Sequence, residues 1–256
     1  MIIIDTHAHL DFKDYDKDRD KVIEENKKAG VVAIINNGVD IASNRKVLEL
    51  AKKYDIIKPA LGFYPVHAVQ VKEEEFDKEL DFISKQDIVA LGEVGLDYLK
   101  GEDNPFGDKY SKEMKACFEK FMALAEKKNI PIIVHSRRAE LDMVEMLESS
   151  SLKPEKILVH CFMGRKHLVK RILDHGWSMS ISAIVKKLQQ LQLIVEQAPM
   201  NQLLTETDAP YQSPYPDIRR NEPRFIIEAL KKIAEIKKLD IEEVANMIYK
   251  NYQAMF

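Results

Sequence analysis

The sequence IIIDTHAH, residues 2–9, joins an apolar run to an aspartate and two histidines. The run at residues 2–5 predicts a short β-strand, because isoleucine favours strands and the polar residues that follow mark its end. Side chains alternate between the two faces of a strand, so His7 and His9 would point the same way and could bind one ion. Two polar residues after a strand are equally typical of a turn, so this pair alone leaves both interpretations open.

Seven further apolar runs of strand length follow along the chain. Together the eight predicted strands cover residues 2–5, 31–36, 56–62, 87–93, 130–135, 156–160, 177–182 and 202–207. Charged segments with helical spacing separate them, such as residues 16–30, which end on Gly30 as a helix C-cap would. Residues 222–256 read as two amphipathic helices. Eight β-α units in 256 residues predict an α/β protein with a (β/α)8 TIM barrel and extra C-terminal helices.

Composition indicates a globular chain without a global attraction for nucleic acid. Charged residues make up 32% of the chain, and the formal net charge is -3, so any site for a polyanion must be local. No low-complexity segment or linker divides the sequence, and we expect one domain over residues 1–256.

Cysteine usage and the start of the chain favour the cytoplasm. Cys117 and Cys161 are the two cysteines and lack C-x-x-C spacing, which argues against a disulfide framework and a thiolate zinc site. The first residues lack the basic region of a secretory signal. No apolar stretch approaches the ~20 residues of a membrane helix. We therefore expect no membrane contact, and we infer no obligate protein partner.

Histidines and acids recur at the ends of the predicted strands. These residues are His7, His9, Glu93, His135, His160 and Asp208. In a parallel barrel such positions share one rim, and imidazoles with carboxylates are typical metal ligands. One histidine at a strand end is usually an ordinary polar residue, but the joint placement favours a metal centre. Two long polar segments, residues 97–110 and 208–223, also follow strands, which favours contact with substrate over a role as ordinary surface loops.

Six motifs in this order resemble those of the TatD-related metal-dependent hydrolases, a branch of the amidohydrolase-like barrels. They are DTHAHLDF (5–12), ALGEVGLDY (90–98), IIVHSR (132–137), LVHCFMG (158–164), LLTETDAPY (203–211) and RRNEP (219–223). The resemblance implies a two-metal hydrolase that cleaves DNA phosphodiester bonds. It implies that His7, His9 and Asp208 hold one ion, that His135 and His160 hold a second, and that Glu93 bridges the two.

This implied chemistry suits the residues. Two divalent ions can clamp phosphate oxygens and acidify a bound water, and Asp208 can take a proton from that water. Asp208 and Glu93 are thus the predicted catalytic residues. Zinc, manganese and magnesium all suit such ligands. We expect an exodeoxyribonuclease; the alternatives are an ester hydrolase such as a D-aminoacyl-tRNA deacylase and, less favoured, a binding protein without catalysis.

Residues that could contact substrate are less sharply indicated. The candidates are Tyr64, His67, Arg137, Arg165, Tyr211, Arg220 and Asn221, with Arg138 as an alternative to Arg137. Guanidinium groups could bind phosphate, although for any one arginine a solvated basic surface is the more common role, and Tyr211 could stack on a base or pack within its loop. Tyr64 stands where relatives commonly carry histidine, and Phe121 where many carry glutamine. Asp5 and Glu206 could orient imidazoles or be ordinary turn residues.

Overall fold

The chain folds around one parallel sheet. The computed structural model describes residues 1–102 and 104–256. Within these residues eight strands pair in sequence order, each parallel to the next. They are β1 (Ile3–Ala8), β2 (Val31–Asn37), β3 (Ile57–Leu61), β4 (Ala90–Asp97), β5 (Ile132–Arg137), β6 (Ile157–Val159), β7 (Ser178–Ser182) and β8 (Leu203–Glu206). This order is that of a (β/α)8 TIM barrel, which confirms the predicted fold class.

The first and last strands come together and nearly close the barrel. The Asp208 amide donates to the His7 carbonyl at 2.9 Å, and the His9 amide donates to the Ala209 carbonyl at 2.7 Å. Asp5 secures the same seam, since its carboxylate accepts the Thr207 amide at 3.0 Å and the Thr207 hydroxyl at 2.5 Å. Burial raises the pKa of Asp5 to about 8 despite these hydrogen bonds.

Helices alternate with the strands and cover the outside of the barrel. In the described residues they are α1 (Arg19–Lys28), α2 (Ile41–Lys53), α3 (Pro65–Ala68), α4 (Glu73–Ser84), α5 (Ser111–Lys128), α6 (Glu140–Ser149), α7 (Lys166–Asp174), α8 (Gln189–Gln197), α9 (Ile227–Lys237) and α10 (Ile241–Met255). Gly30 follows α1 with a φ of 94°, as predicted from its place after the helical pattern. The last two helices are the expected extra C-terminal pair. None of the helices in the described residues is long and apolar enough to cross a membrane.

Three strands extend further toward their carboxyl ends than the apolar runs predict. β1 includes His7, β4 continues past Glu93 to Asp97, and β5 continues past His135 to Arg137. The prediction that Glu93 and His135 end their strands was therefore wrong by a few residues. Gly95 makes the extension possible: its φ is 142°, and a Cβ there would lie 2.1 Å from the His135 carbonyl oxygen.

Candidate metal centre

One cavity opens at the carboxyl ends of the strands, where the site was predicted. Its volume is about 460 Å³. The predicted site residues that line it are His9, Tyr64, His67, Glu93, His135, Arg137, His160, Asp208 and Tyr211. His7 is fully buried and makes contact with the lining residues from below. Parallel strands thus bring polar residues from across the sequence to one place.

Glu93 lies at the middle of four imidazoles. Its Oε1 is 2.8 Å from His135 Nδ1 and 3.1 Å from His160 Nε2. Its Oε2 is 3.4 Å from both His7 Nε2 and His9 Nε2. One carboxylate therefore presents each of its two oxygens to a different pair of histidines.

The spacing of the donor atoms fits metal ions. His7 Nε2 and His9 Nε2 are 3.2 Å apart, and His135 Nδ1 and His160 Nε2 are 3.1 Å apart. Ligands at ~2.1 Å around a tetrahedral ion lie about 3.4 Å from one another. The trios His7, His9, Glu93 and Glu93, His135, His160 each have donor atoms close enough to hold one ion.

Asp208 adds a carboxylate beside the first pair of histidines. Its Oδ1 is 3.8 Å from His7 Nε2 and 3.6 Å from His9 Nε2. Burial by itself would raise the pKa of Asp208, but the neighbouring imidazoles of His9, His7 and His160 lower it. The carboxylate is therefore ionised near neutral pH and could take part in holding a cation.

The site attracts positive charge strongly. Burial alone would lower the pKa of His9, yet the nearby carboxylates of Asp208 and Glu93 raise it to about 9. Burial would raise the pKa of Glu93, but His7, His135 and His160 bring it well below its usual range. A divalent cation could take the place of the protons that these acids draw onto the imidazoles.

Asp97 is a candidate site residue that the sequence reasoning missed. It is buried at the end of β4 and accepts hydrogen bonds from the Tyr64 hydroxyl and, at 2.9 Å, from the Leu99 amide. Its Oδ2 lies 3.1 Å from Arg137 Nε and 3.6 Å from His135 Nε2. Its spacing of four residues from Glu93 places both on one face of the strand, a signal that was overlooked because β4 was expected to end at Glu93.

Glu206, at the end of β8, is buried beside His160. The rings of His7 and His160 stack with centroids 3.9 Å apart, and His160 Nδ1 is 3.6 Å from Glu206 Oε2. Ser180 donates to the same oxygen at 2.5 Å. Glu206 thus has the position expected of a residue that orients an imidazole, whereas Asp5 contacts His7 through the backbone amide, at 3.1 Å.

The whole chain matches a known family. A family model described as TatD related DNase matches residues 4–256. The chain belongs to the TatD-related DNase family. A Bacillus subtilis (strain 168) relative, named an uncharacterized metal-dependent hydrolase, YabD, is 32% identical over 259 residues, 100% of this chain and 99% of the relative. This membership confirms the resemblance read from the sequence and makes the protein a metal-dependent hydrolase.

Two further comparisons extend this result. A Pantoea ananatis (strain LMG 20103) protein named 3′-5′ ssDNA/RNA exonuclease TatD is 28% identical over 263 residues, 99% of this chain and 99% of that protein. The crystal structure of YJJV, a TatD homolog from Escherichia coli K12, superposes with a TM-score of 0.89 at 24% identity, over 99% of this chain and 97% of that one. The second comparison shows the shared barrel.

The cavity of this TatD-family hydrolase has a polar wall and an apolar wall. On the polar side the guanidinium of Arg137 donates to the Tyr64 hydroxyl at 2.9 Å, and His67 Nδ1 lies 3.0 Å from the Val39 carbonyl oxygen. On the apolar side Phe12, which was not predicted, packs edge-on against Tyr211 with ring centroids 6.1 Å apart. Tyr211 is 55% exposed. The sequence predicted Tyr64, His67, Arg137 and Tyr211 as contacts but did not predict Phe12.

Arg220 and Asn221 lie outside the cavity and hold the loop after β8. Arg220 pairs with Asp18 at 2.7 Å and with Glu222 at 3.0 Å. Asn221 is fully buried, and its amide donates to the carbonyls of Thr207 and Tyr211, each at 2.8 Å. Their side chains are occupied within the protein, so we do not retain them as substrate contacts.

The other candidate arginines lie away from the cavity, and so does Phe121, which stands where many relatives carry glutamine. Arg165 is exposed and precedes α7, and Arg138 is exposed with a left-handed φ of 58°. Phe121 is buried on α5 and packs against Phe76 with centroids 5.7 Å apart. These positions give the residues structural or surface roles, and Arg137 is the predicted arginine that reaches the site.

Proposed function

We propose that this hydrolase cleaves DNA phosphodiester bonds with two divalent ions and acts from strand ends. One observation carries the proposal: the two oxygens of Glu93 face two separate pairs of histidines. The relative from Pantoea ananatis, named as an exonuclease on ssDNA and RNA, supports a nucleic-acid substrate. We treat residues 1–256 as one catalytic domain and keep the cytoplasm as its location on the basis of its two free cysteines.

The donor positions support the proposed ligand roles. His7, His9 and Asp208 would hold one ion, His135 and His160 the second, and Glu93 would contribute one oxygen to each. When bound, two such ions clamp phosphate oxygens and make a bound water more acidic. Zinc, manganese and magnesium all accept imidazole and carboxylate ligands, so the donor set admits each of them.

Asp208 is the proposed general base. Its carboxylate is ionised, lines the cavity and stands beside the first pair of histidines. It would take a proton from the attacking water as that oxygen bonds to phosphorus. As the bond from phosphorus to the leaving oxygen breaks, the proton can pass to that oxygen, so the carboxylate is ready for another turnover.

The two walls of the cavity suit a nucleotide. Arg137 is fixed by Asp97 and Tyr64, and a guanidinium held in this way can bind a phosphate oxygen. His67 on the same wall could add a second donor. Opposite them, Phe12 and Tyr211 offer aromatic faces and edges to a base. A phosphate on one side and a base on the other match the two parts of a nucleotide.

A direct assay distinguishes cleavage of DNA phosphodiester bonds from hydrolysis of the carboxylic ester in aminoacyl-tRNA. Metal-loaded protein is incubated with end-labelled DNA and, in parallel, with D-aminoacyl-tRNA. We expect nucleotide release from DNA, loss of that activity in excess chelator and its return when a divalent metal is added. Deacylation without nucleotide release would replace DNA by the aminoacyl ester as substrate, and full activity in a verified metal-free sample would reject the metal mechanism.

Metal analysis of three variants tests the ligand assignment. Glu93→Ala removes an oxygen from both groups of donors, so both ions should be lost together. His135→Ala should empty only the site shared with His160. Glu140→Ala removes another cavity-lining acid that is outside the ligand set, and it should keep both ions. Full metal content in folded Glu93→Ala protein, with folding checked by circular dichroism, would contradict the bridging role.

A further inference from the structure

The side chain of Gln212 reaches into the cavity and contacts Asp208. Its Nε2 donates to Asp208 Oδ2 at 2.7 Å. On its other side, the Ser182 hydroxyl donates to Gln212 Oε1 at 3.3 Å, and the Cys161 thiol lies 3.4 Å from the same oxygen. All four residues come from the rim at β6, β7 and β8. The sequence reasoning gave Gln212 no role.

The contacts fix which way the amide faces. An ionised carboxylate can only accept hydrogen bonds, so the NH2 group of Gln212 must face Asp208. The hydroxyl of Ser182 can donate to the amide oxygen, and Cys161 Sγ lies 3.4 Å from both the oxygen and the nitrogen of the amide, so it fits this arrangement as well. The contact with Asp208 therefore sets the orientation of the amide.

The backbone of the loop holds Gln212 in this place. Gln212 has a φ of 56°, a left-handed conformation that turns its side chain back toward the barrel. Asn221 donates to the Gln212 carbonyl at 3.2 Å, and the Tyr211 amide donates to the Asp208 carbonyl at 2.8 Å. Asp208 and Gln212 thus lie at two ends of one tight, tethered turn.

We propose that Gln212 is a positioning residue for Asp208. By holding Oδ2, it directs Oδ1 toward His7 and His9 and keeps one carboxylate oxygen committed to that pair. Without this donor the carboxylate can rotate, and its time in the orientation needed to hold an ion and accept a proton falls. The inference rests on the proposed function, because it assigns a support to the residue proposed as ligand and base.

Gln212→Met tests the proposal with little change of shape. Methionine has nearly the length of glutamine, has the same unbranched Cβ at the left-handed position and cannot donate. Removing such a support to a ligand typically costs about 10-fold to 100-fold in metal affinity or activity. We expect kcat on end-labelled DNA to fall in that range with KM nearly unchanged. We also expect weaker Mn²⁺ binding in a titration that follows free Mn²⁺ by electron paramagnetic resonance.

Two companion variants sharpen the test. Gln192→Met is the matched control, since its Nε2 donates at 2.8 Å to the Val185 carbonyl away from the cavity; it should behave as wild type. Gln212→Asn keeps an amide but is one methylene too short, and asparagine tolerates left-handed backbone well, so this variant should fold and show the same loss. It provides the result if Gln212→Met is unstable.

The outcomes distinguish this inference from the proposed function. Wild-type kcat and Mn²⁺ affinity in both Gln212 variants would overturn it, and so would a rise in KM alone, which would mark Gln212 as a substrate contact. If wild-type protein releases no nucleotides from DNA, the proposed function fails. The Mn²⁺ titration still decides whether Gln212 supports Asp208 in that case.

Discussion

The two long loops that follow β4 and β8 have similar composition but opposite relations to the cavity. Both are rich in turn residues and both are secured by a buried asparagine, Asn104 in the first and Asn221 in the second. The loop after β8 contributes Asp208, Tyr211 and Gln212 to the cavity lining, whereas none of the described residues at 98–102 and 104–110 lines it.

The difference lies in what each asparagine holds. Asn104 bonds to partners close in sequence, the carbonyls of Asp97 and Gly107, seven and three residues away. Asn221 reaches back 14 residues to the Thr207 carbonyl and 10 residues to the Tyr211 carbonyl. The first loop is closed on itself, and the second is folded back so that its start faces the site. In this protein the loop whose asparagine spans the longer stretch of chain is the one that contributes to the cavity lining.

The largest contrast is expected from the same change made in each loop. Asp208→Asn should lower kcat by about 10²-fold to 10⁴-fold, because the amide keeps the shape but cannot act as a base. Asp108→Asn in the other loop should leave kcat unchanged, since Asp108 is exposed and does not line the cavity. Steady-state kinetics on end-labelled DNA gives the comparison. An effect of Asp208→Asn confined to KM would argue against the role as base.

Replacing either asparagine by alanine should lower the stability of the protein by a similar amount, but only one of the two replacements should lower its activity. Asn221→Ala and Asn104→Ala each leave buried carbonyls without a donor, so each should lower the free energy of unfolding by about 1–3 kcal/mol. Only Asn221→Ala should also reduce kcat, by about 10-fold, because it frees the turn that carries Gln212. Urea unfolding and kinetics are measured on the same preparations. A matching loss of kcat in Asn104→Ala would remove the distinction between the loops.

The smallest predicted effect is a change of protein stability with pH that depends on Arg220. Arg220 donates to Asp18 and lowers the pKa of that carboxyl below its ordinary 3.8. A lowered pKa contributes stability that is present above the ordinary value and is lost as pH falls through the folded value. Wild type should therefore be slightly more stable than Arg220→Met at pH 7. The difference between their free energies of unfolding should become smaller below about pH 4. Because the pair is partly exposed, we expect a modest gap. Unfolding curves between pH 3 and 7 in which the gap widened toward low pH would contradict this sign.

Much of the framework was accessible from the sequence. Alternating apolar runs and charged helical segments located the eight strands, since a buried parallel strand must be apolar along its centre. The convergence of His9, Glu93 and His160 followed from strand order alone, because parallel strands end at one rim. The donor positions were therefore predictable before any distance was known.

The supports of the site were not accessible in this way. Apolar runs mark the centre of a strand but stop where its carboxyl end turns polar, which is why Asp97 was assigned to a loop. Tyr64 and Asp97 are 33 residues apart, and Cys161 and Gln212 are 51 apart. Hydrogen bonds between such distant side chains leave no periodic pattern in the sequence. Arg220 and Asn221 looked like ligands for phosphate because polar side chains that hold a loop use the same donors.

The seam between β1 and β8 also affects when the candidate metal centre forms during folding. Asp5 and Thr207, which join across it, are 202 residues apart in the sequence. During synthesis His7 and His9 leave the ribosome long before Asp208, and contacts of such separation form late in folding. At that stage the two histidines lie beside an incomplete barrel, and Asp208, which follows β8, is missing from the site. Closure of the seam completes the candidate centre, so a truncated chain that ends before β8 would carry five of the six candidate donors, without Asp208 and without the enclosure.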